Sequence, residues 1–275
     1  MSISNTFKIG LAVAVLAASA IAPGVTAAQT PATGTPGKWY FGAELYLYLP
    51  SIGGSVAFPV RGSGSNINVD ADTLIDGLDM AFMGALAAHN GQWGFFTDVM
   101  YLDVSGDKSN TRDFSINGVP GSITADLDLG LKGTIWTLGG EYRVVTNPAW
   151  TMDVLAGARM FAVKPKLSWS LGVASPSLPG LEGSEEVKET NWDAIVGVRG
   201  RYTFGDRREW FVPYYLDVGT GESDLTWQAM AGIGYSYNSW DFTAAWRYLD
   251  YNFKSDSKIN DMNFNGPMFG VIYRW

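Results

Sequence analysis

Hydrophobic and polar residues alternate with a period of two along most of the chain. From Trp240 to Leu249 the even positions carry Trp, Phe, Ala, Trp and Tyr, whereas the odd positions include Asp241 and Arg247. Successive side chains of a β-strand point to opposite faces, so this segment has one apolar face and one polar face. The function of such a protein depends on which surroundings each face contacts.

The same alternation predicts ten strands. They cover roughly residues 38–50, 78–90, 92–105, 126–145, 149–170, 186–205, 208–219, 223–237, 239–254 and 262–275. Short links follow the even-numbered strands, and most of the links after the odd-numbered strands are longer. Tight turns at one end and long loops at the other are typical of outer-membrane barrels. The sequence therefore predicts an all-β fold, a transmembrane up-and-down antiparallel β-barrel of ten strands, with "GGSVAFPV" after the first strand as possible additional sheet.

Three of these strands depart from simple alternation. The second, residues 78–90, is apolar on both parities, so its facing cannot be assigned from the sequence. The fourth changes its apolar parity near Gly133, which predicts a β-bulge there. Pro213 lies inside the seventh strand and must cost a ladder hydrogen bond or lie at a bulge.

Aromatic residues recur on the apolar parity near the short-turn ends of the strands. We predict that they form a girdle, which comprises Trp39, Trp93, Trp150, Trp210, Trp240, Tyr202, Tyr235 and Trp275. A ring of amphipathic aromatics at one height suits a bilayer interface, and a soluble core has no reason to produce one. The apolar face is therefore expected to contact lipid. A soluble periplasmic barrel with the opposite facing remains the alternative.

Charged residues collect on the polar parity of the same strands. This predicted lumenal charge network comprises seven acids and six arginines, namely Glu44, Asp98, Glu141, Arg143, Asp153, Arg159, Asp193, Arg199, Arg201, Asp217, Asp241, Arg247 and Arg274. It contains no lysine, and arginine is the cation suited to desolvated, bidentate pairing with carboxylates. We expect the charges to pair across a narrow, largely filled lumen. The alternative is a narrow polar pore whose charges set selectivity.

The predicted signal peptide and the composition restrict the classes of function that the protein could have. Residues 1–28 have the order of a secretory signal peptide, 29–37 read as a flexible periplasmic leader, and 38–275 form the predicted barrel. Without the first 28 residues, 18 Lys and Arg face 27 Asp and Glu, a net charge of −9, which argues against nucleic-acid binding. The chain contains no cysteine, so it has no disulfide and no thiolate metal site.

The C-terminus carries a recognisable pattern. In "FGVIYRW", the residues Phe269, Val271, Tyr273 and Trp275 share one face, and the segment resembles the signal read by the barrel-assembly machinery of Gram-negative outer membranes. The stretches "WYFGAELYLYLPSIGGSV" and "LDMAFMGALAAHNGQWGFFTDVMYLDVSG" resemble a family of predicted outer-membrane β-barrel proteins without an assigned activity. The resemblance implies an outer-membrane location and, as partners, the assembly machinery, outer-membrane lipid and lipopolysaccharide. It supplies no active-site residues.

Catalytic chemistry has little support in the sequence. The single histidine, His89, lies beside a short turn on the predicted periplasmic side, whereas outer-membrane hydrolases as families use a His near the outer rim. The acidic segment at 70–76 lacks the Gly and the distal Glu of a calcium loop, and the acidic cluster at 182–189 is expected to be solvated, where it could be bridged by divalent ions bound to lipopolysaccharide. We therefore expect no catalytic residues, no metal site and no cofactor. The predicted function is envelope structure or surface interaction, with a narrow porin-like diffusion channel for small polar solutes as the alternative.

Overall fold

The computed structural model of the protein describes residues 38–56, 65–69, 77–116, 119–173, 181–186, 188–255, 257 and 259–275. The predicted signal peptide, the leader and the acidic segment 70–76 lie outside the described residues. No helix in the described part of the chain is long and apolar enough to cross a membrane.

The described residues form thirteen strands in one sheet. They are β1 (Tyr40–Tyr48), β2 (Ser51–Val56), β3 (Ser65–Val69), β4 (Leu78–His89), β5 (Trp93–Ile116), β6 (Val119–Thr146), β7 (Trp150–Val173), β8 (Leu181–Glu186), β9 (Glu189–Phe204), β10 (Trp210–Gly221), β11 (Ser223–Tyr237), β12 (Trp240–Phe253) and β13 (Ile259–Arg274). Ten of them, β1, β4 to β7 and β9 to β13, pair antiparallel in chain order, and β1 closes the ring against β13. The predicted ten-stranded antiparallel barrel is confirmed.

The three remaining strands extend the sheet beyond the barrel ring on the long-loop side. β2 continues the line of β1 and pairs with the outer part of β13, and β3 pairs with β2. β8 pairs with the outer part of β7. The hairpin of β5 and β6 keeps one register out to Ile116 opposite Val119, so the loop predicted over 106–125 is wrong. The sequence shows no regular alternation over 106–125, so the period-two pattern predicts no strand there.

The bulge predicted near Gly133 is also wrong. β6 keeps a constant register against both neighbours through that position, and its irregularity lies between Arg143 and Val145. The apolar parity changes because the inward positions themselves become apolar: Ile135 is buried inside the barrel, and Leu131 packs beside it. The pairing of the strand is therefore regular, and the parity changes because the residues that line the lumen become apolar towards the long-loop side.

Pro213 interrupts the ladder without shifting it. β10 pairs with β11 at Phe211 opposite Gly234 and again at Tyr214 opposite Ala231, in the same register, with no pairing between. The other side of the strand stays paired, with Pro213 opposite Arg201 of β9. Since proline has no N–H, this strand loses local hydrogen bonding and needs no bulge.

The direction of the side chains follows from this register. The apolar parity faces outward, with Leu45, Phe82 and Trp246 among side chains that are at least half exposed. The polar parity faces inward, where Arg159 and Arg247 are 0% and 3% exposed. The facing of β4 is now fixed as well, because Met80, Phe82 and Leu86 point outward and Met83 is buried. The arrangement is that of a barrel whose outside is apolar.

Candidate functional site: the lumen of the barrel

The inward residues of β12 show how the lumen changes from the short-turn end outward. Asp241 comes first, followed by the small residues Thr243 and Ala245, and then by Arg247. Beyond Arg247 the inward positions are wholly apolar or aromatic, namely Leu249, Tyr251 and Phe253, each at most 5% exposed. The lumen therefore has a charged half near the short turns and an apolar half near the long loops.

The charges nearest the short turns form three groups of ion pairs. Arg143 holds Asp153 through two hydrogen bonds, Nε to Oδ1 at 2.8 Å and Nη2 to Oδ2 at 2.9 Å. Arg199 Nε lies 3.0 Å from Glu141 Oε2. The carboxylate of Asp241 takes two guanidinium groups, Arg201 at 3.1 Å and Arg274 at 2.9 Å. Two of these contacts link neighbouring strands, β6 with β7 and β12 with β13, whereas Arg199 and Arg201 of β9 reach β6 and β12, which are not its neighbours.

Two arginines in the middle of the lumen join strands that are not neighbours in the barrel. Arg247 of β12 donates to Asp98 of β5 at 2.8 Å and to Gln228 at 2.9 Å, and Tyr46 donates to the same aspartate at 2.5 Å. Arg159 of β7 donates through both terminal nitrogens to Asp217 of β10. Charged hydrogen bonds that span a closed ring fix its cross-section, because neither partner can move without leaving a buried charge.

Two members of the predicted network have no arginine within ion-pair distance among the described residues. Glu44 is half-buried and lines the cavity described below. Asp193 is 1% exposed and accepts a hydrogen bond from the backbone N–H of Ser223 at 2.8 Å, which ties β9 to the start of β11. The remaining eleven charged residues take part in the pairs given above.

A cavity of about 290 Å³ lies inside the charged half. It exists because several inward side chains at this level are small, including Ala85, Ala87, Thr243 and Ala245, and leave the centre of the barrel unfilled. The side chains of Arg199 and Arg201 keep 30% and 23% of their exposure. Solvent therefore reaches the cavity from the short-turn end.

The outer half of the lumen is an apolar core that the sequence analysis missed. It is built of buried residues from β2 and from seven barrel strands. It includes Tyr48, Ile52, Met100, Phe161, Leu249, Tyr251, Phe253, Ile259, Met262 and Phe264. The ring of Phe161 is 4.6 Å from that of Tyr251 and 5.3 Å from that of Phe253, measured between centroids. A gap of only about 20 Å³ remains among these side chains. The sequence did contain a signal for this core, namely the apolar residues at the inward positions of β12 beyond Arg247.

His89 lies at the short-turn end, in contact with the ion pairs. Its Nδ1 accepts the N–H of Gly91 at 2.8 Å, so in the neutral ring the proton is on Nε2, which is 3.5 Å from Asp153. His89, Glu141 and Asp153 each bring a potential ligand atom within 4.8 Å of the others. However, Nε2 offers no lone pair in that tautomer, and each carboxylate already holds an arginine. This geometry suits an ion-paired cluster better than a metal site.

The predicted girdle residues all point outward near the short turns, with exposures between 37% and 57%. Several pair across neighbouring strands: Trp93 with Tyr142 at 4.8 Å between ring centroids, and Trp210 with Tyr235 at 5.0 Å. Three residues of the C-terminal pattern, Phe269, Val271 and Tyr273, also point outward on β13, and Trp275 is exposed directly after it. Trp275 exchanges two backbone hydrogen bonds with Phe41 and stacks on its ring, so the last residue helps to close the barrel.

Comparison with known proteins bears on the fold. The outer-membrane protease OmpT of Escherichia coli has a TM-score of 0.53 and 12% identity, over 88% of this chain and 98% of that one. The translocator domain of the autotransporter NalP of Neisseria meningitidis has a TM-score of 0.37 and 15% identity, over 88% and 90%. Ail, the attachment invasion locus protein of Yersinia pestis, has a TM-score of 0.32 and 14% identity, over 86% and 98%.

No protein-family model matches the sequence, and no curated protein matches it. The resemblance of the N-terminal strands to an outer-membrane protein family therefore stays a prediction. At 12% identity the likeness to OmpT concerns the fold and carries no activity with it. This chain has the fold of a Gram-negative outer-membrane β-barrel protein.

Proposed function

We propose that the protein is an integral, non-enzymatic barrel of the outer membrane that serves envelope structure or surface interaction. The observation that carries the proposal is the apolar core in the outer half of the lumen, where Tyr48, Leu249 and Tyr251 are fully buried. A lumen packed in this way leaves no water-filled path from one end to the other among the described residues, and a passage for polar solutes needs one.

The outer-membrane location is supported by the outward apolar face and its aromatic girdle. Such a face in water would expose far more contiguous apolar surface than a soluble monomer carries. The predicted signal peptide at 1–28 would bring the chain across the inner membrane, and the C-terminal pattern on β13 would be recognised by the barrel-assembly machinery.

A role at the cell surface is supported by the height of the sheet. β5 and β6 are 24 and 28 residues long and stay paired to their tips. About 17 residues of β6 lie beyond Trp136, which corresponds to roughly 55 Å of strand. A tilted sheet of that length extends well past the lipid headgroups and offers a wall for contact with other molecules.

The absence of enzymatic activity is part of this proposal. A hydrolase needs a base beside a nucleophile and an accessible substrate site. The only histidine of the chain is bound to Gly91 and faces Asp153 at the short-turn end. Its ring is engaged in the ion-paired cluster, which supports a structural role.

The alternative is the narrow diffusion channel, which gains support from the charged cavity that opens at the short-turn end. For this alternative, the apolar core would have to move aside. Single-channel recording of the purified protein in planar bilayers separates the two functions. We expect no discrete conductance steps, and reproducible steps from a homogeneous sample would contradict the filled barrel.

A further inference from the structure

One carboxylate that lines the lumenal cavity has no partner among the described side chains. The cavity is lined by four carboxylates and four guanidinium groups. Three of the carboxylates, those of Asp98, Asp153 and Asp241, each contact an arginine that lines the same cavity. The fourth, Glu44, makes no hydrogen bond and no ion pair with any described residue. Glu44 therefore presents an acceptor to whatever fills the cavity.

Arg199 offers the matching donors. Its Nε lies 3.0 Å from Glu141 Oε2, and its Cζ lies 4.8 Å from the centre of the Phe96 ring. These contacts hold the guanidinium group in place, and its terminal nitrogens, Nη1 and Nη2, make no hydrogen bond with a described residue. The side chain is 30% exposed and lines the cavity. The N–H groups on such an edge can bind a carboxylate in a bidentate manner.

Glu44 and Arg199 lie on opposite walls of the barrel. Their strands, β1 and β9, are five places apart in the ring of ten strands. Glu44 is five residues from the girdle residue Trp39, and Arg199 is three residues from the girdle residue Tyr202, so their heights are similar. Each charge acts electrostatically on the other, although the two groups do not touch. The cavity therefore lies between an acceptor on one wall and a donor edge on the other.

The charge and size of the cavity indicate the kind of ligand. Because its four carboxylates balance its four guanidinium groups, a simple cation or anion would bring an uncompensated charge into the barrel. A molecule with one ammonium and one carboxylate group brings none. The volume of about 290 Å³ is at the lower end of the range of ligand pockets, about 300–1,000 Å³. Ala85, Met230 and Met268 add apolar lining that suits an aliphatic side chain.

We propose that the cavity binds a small zwitterion, a free amino acid or a dipeptide, that enters from the short-turn end. Its ammonium group donates to Glu44, its carboxylate accepts from the terminal nitrogens of Arg199, and its side chain packs against the apolar lining. The inference goes beyond the structural role proposed above. It needs access from one end only and does not depend on whether the lumen conducts.

The first test compares ligands that differ in one charged group. Leucine is titrated against the folded, detergent-purified protein and followed by ligand-observed NMR. N-Acetylleucine lacks the ammonium group and leucinamide lacks the carboxylate, but both keep the side chain. We expect leucine to bind at least about tenfold more tightly than either analogue. Leucyl-leucine, titrated in the same way, shows which of the two ligand lengths fits the cavity better.

The second test assigns each charged group of the ligand to its residue. Glu44→Gln breaks no ion pair, and it should weaken leucine binding about tenfold and leave N-acetylleucine binding unchanged. Arg199→Lys keeps a cation beside Glu141 but loses the planar edge, so it should weaken the binding of leucine and not that of leucinamide. The control, Asp206→Asn, removes an exposed acid at the same end of the barrel and should bind leucine like the unaltered protein.

Several outcomes would overturn the inference. Equal affinity for leucine and its two analogues would do so, and so would the absence of saturable binding, which would mean that the cavity holds water only. Equal binding of leucine by the Glu44→Gln variant and the control would also contradict it. Heat-dependent gel mobility checks that each variant is folded. Reproducible conductance steps would contradict the filled barrel and not this site, so the two failures are distinguishable.

Discussion

At the scale of single residues, the two cations are used differently. Arginine pairs with carboxylates inside the barrel, as in the bidentate contact of Arg159 with Asp217, where both side chains are fully buried. Lysine stays outside, where its flexible stem can follow lipid or solvent. A lumenal arginine is therefore expected to matter much more for stability than an exposed lysine.

We predict that Arg159→Met lowers the free energy of unfolding by about 3–5 kcal/mol, because it leaves the carboxylate of Asp217 buried and unpaired. Urea unfolding in phospholipid vesicles, followed by tryptophan fluorescence, measures the change. Adding Asp217→Leu should recover much of the loss. The exposed Lys254→Met serves as the control and should change stability by no more than about 0.5 kcal/mol.

The direction of each lumenal charge could be predicted from alternation alone, because a strand has only two faces and aromatic residues mark the outer one. The ion-pair partner of each charge could not be predicted in this way. Arg247 meets Asp98 across 149 residues of sequence, and only the closed ring brings the two together. The partner of Arg159 lies on β10, with only β9 between it and β7, so it likewise depends on the order of the strands in the ring.

At the scale of strands, the outer halves differ from the inner halves. The sequence predicts one polar and one apolar face for a whole strand, but beyond Arg247 the inward side chains of β12 are apolar, whereas Asp250 and Asn252 face outward. In β6 the same change appears as a reversal of parity, which favours a bulge when the sequence is considered alone. Such a reversal of the apolar face signals a filled lumen only once the closure of the barrel is known.

We predict that Phe161→Ala lowers the free energy of unfolding by about 3–5 kcal/mol, since it opens a cavity in a packed core. Phe242→Ala makes the same chemical change on the outward face, where the ring is 47% exposed, and should cost less. The vesicle unfolding assay compares the two. Equal losses would mean that the outer half of the lumen is not densely packed.

The last strand combines closure with the predicted assembly signal. We expect Trp275→Ser to reduce strongly the amount of assembled barrel in cells, because the terminal aromatic is the residue that the machinery would recognise. Trp93→Ser removes an equally exposed tryptophan from β5 and provides the control. Heat-modifiable mobility of membrane fractions measures assembly. Similar decreases for both variants would show that Trp275 acts only as a girdle residue.

At the scale of the whole molecule, the outward face is the surface on which the proposed membrane location depends. Leu45 points outward six residues beyond Trp39, close to the middle of the apolar band. We predict that Leu45→Arg costs about 2–4 kcal/mol in vesicles, whereas Tyr237→Arg, near the interface, costs about 0–1 kcal/mol. Equal costs at the two depths would indicate that water surrounds the barrel.

We also expect the protein to stay in the membrane fraction through washes with high salt and to be released only by detergent. Apolar contact with hydrocarbon is insensitive to ionic strength, whereas attachment through surface charges is screened by salt. Extraction followed by immunoblotting measures this directly. An outer-membrane protein of known barrel fold in the same cells provides the control.

The charged cavity is closed on one side only, and this has a consequence for the cell. Because aromatic and aliphatic side chains seal the barrel towards the outside, extra copies of the protein would add no route for antibiotics or bile salts into the periplasm. We therefore expect overproduction to leave envelope permeability unchanged, whereas overproduction of an open pore of similar size would raise it. The protein can then be abundant without weakening the barrier that surrounds it.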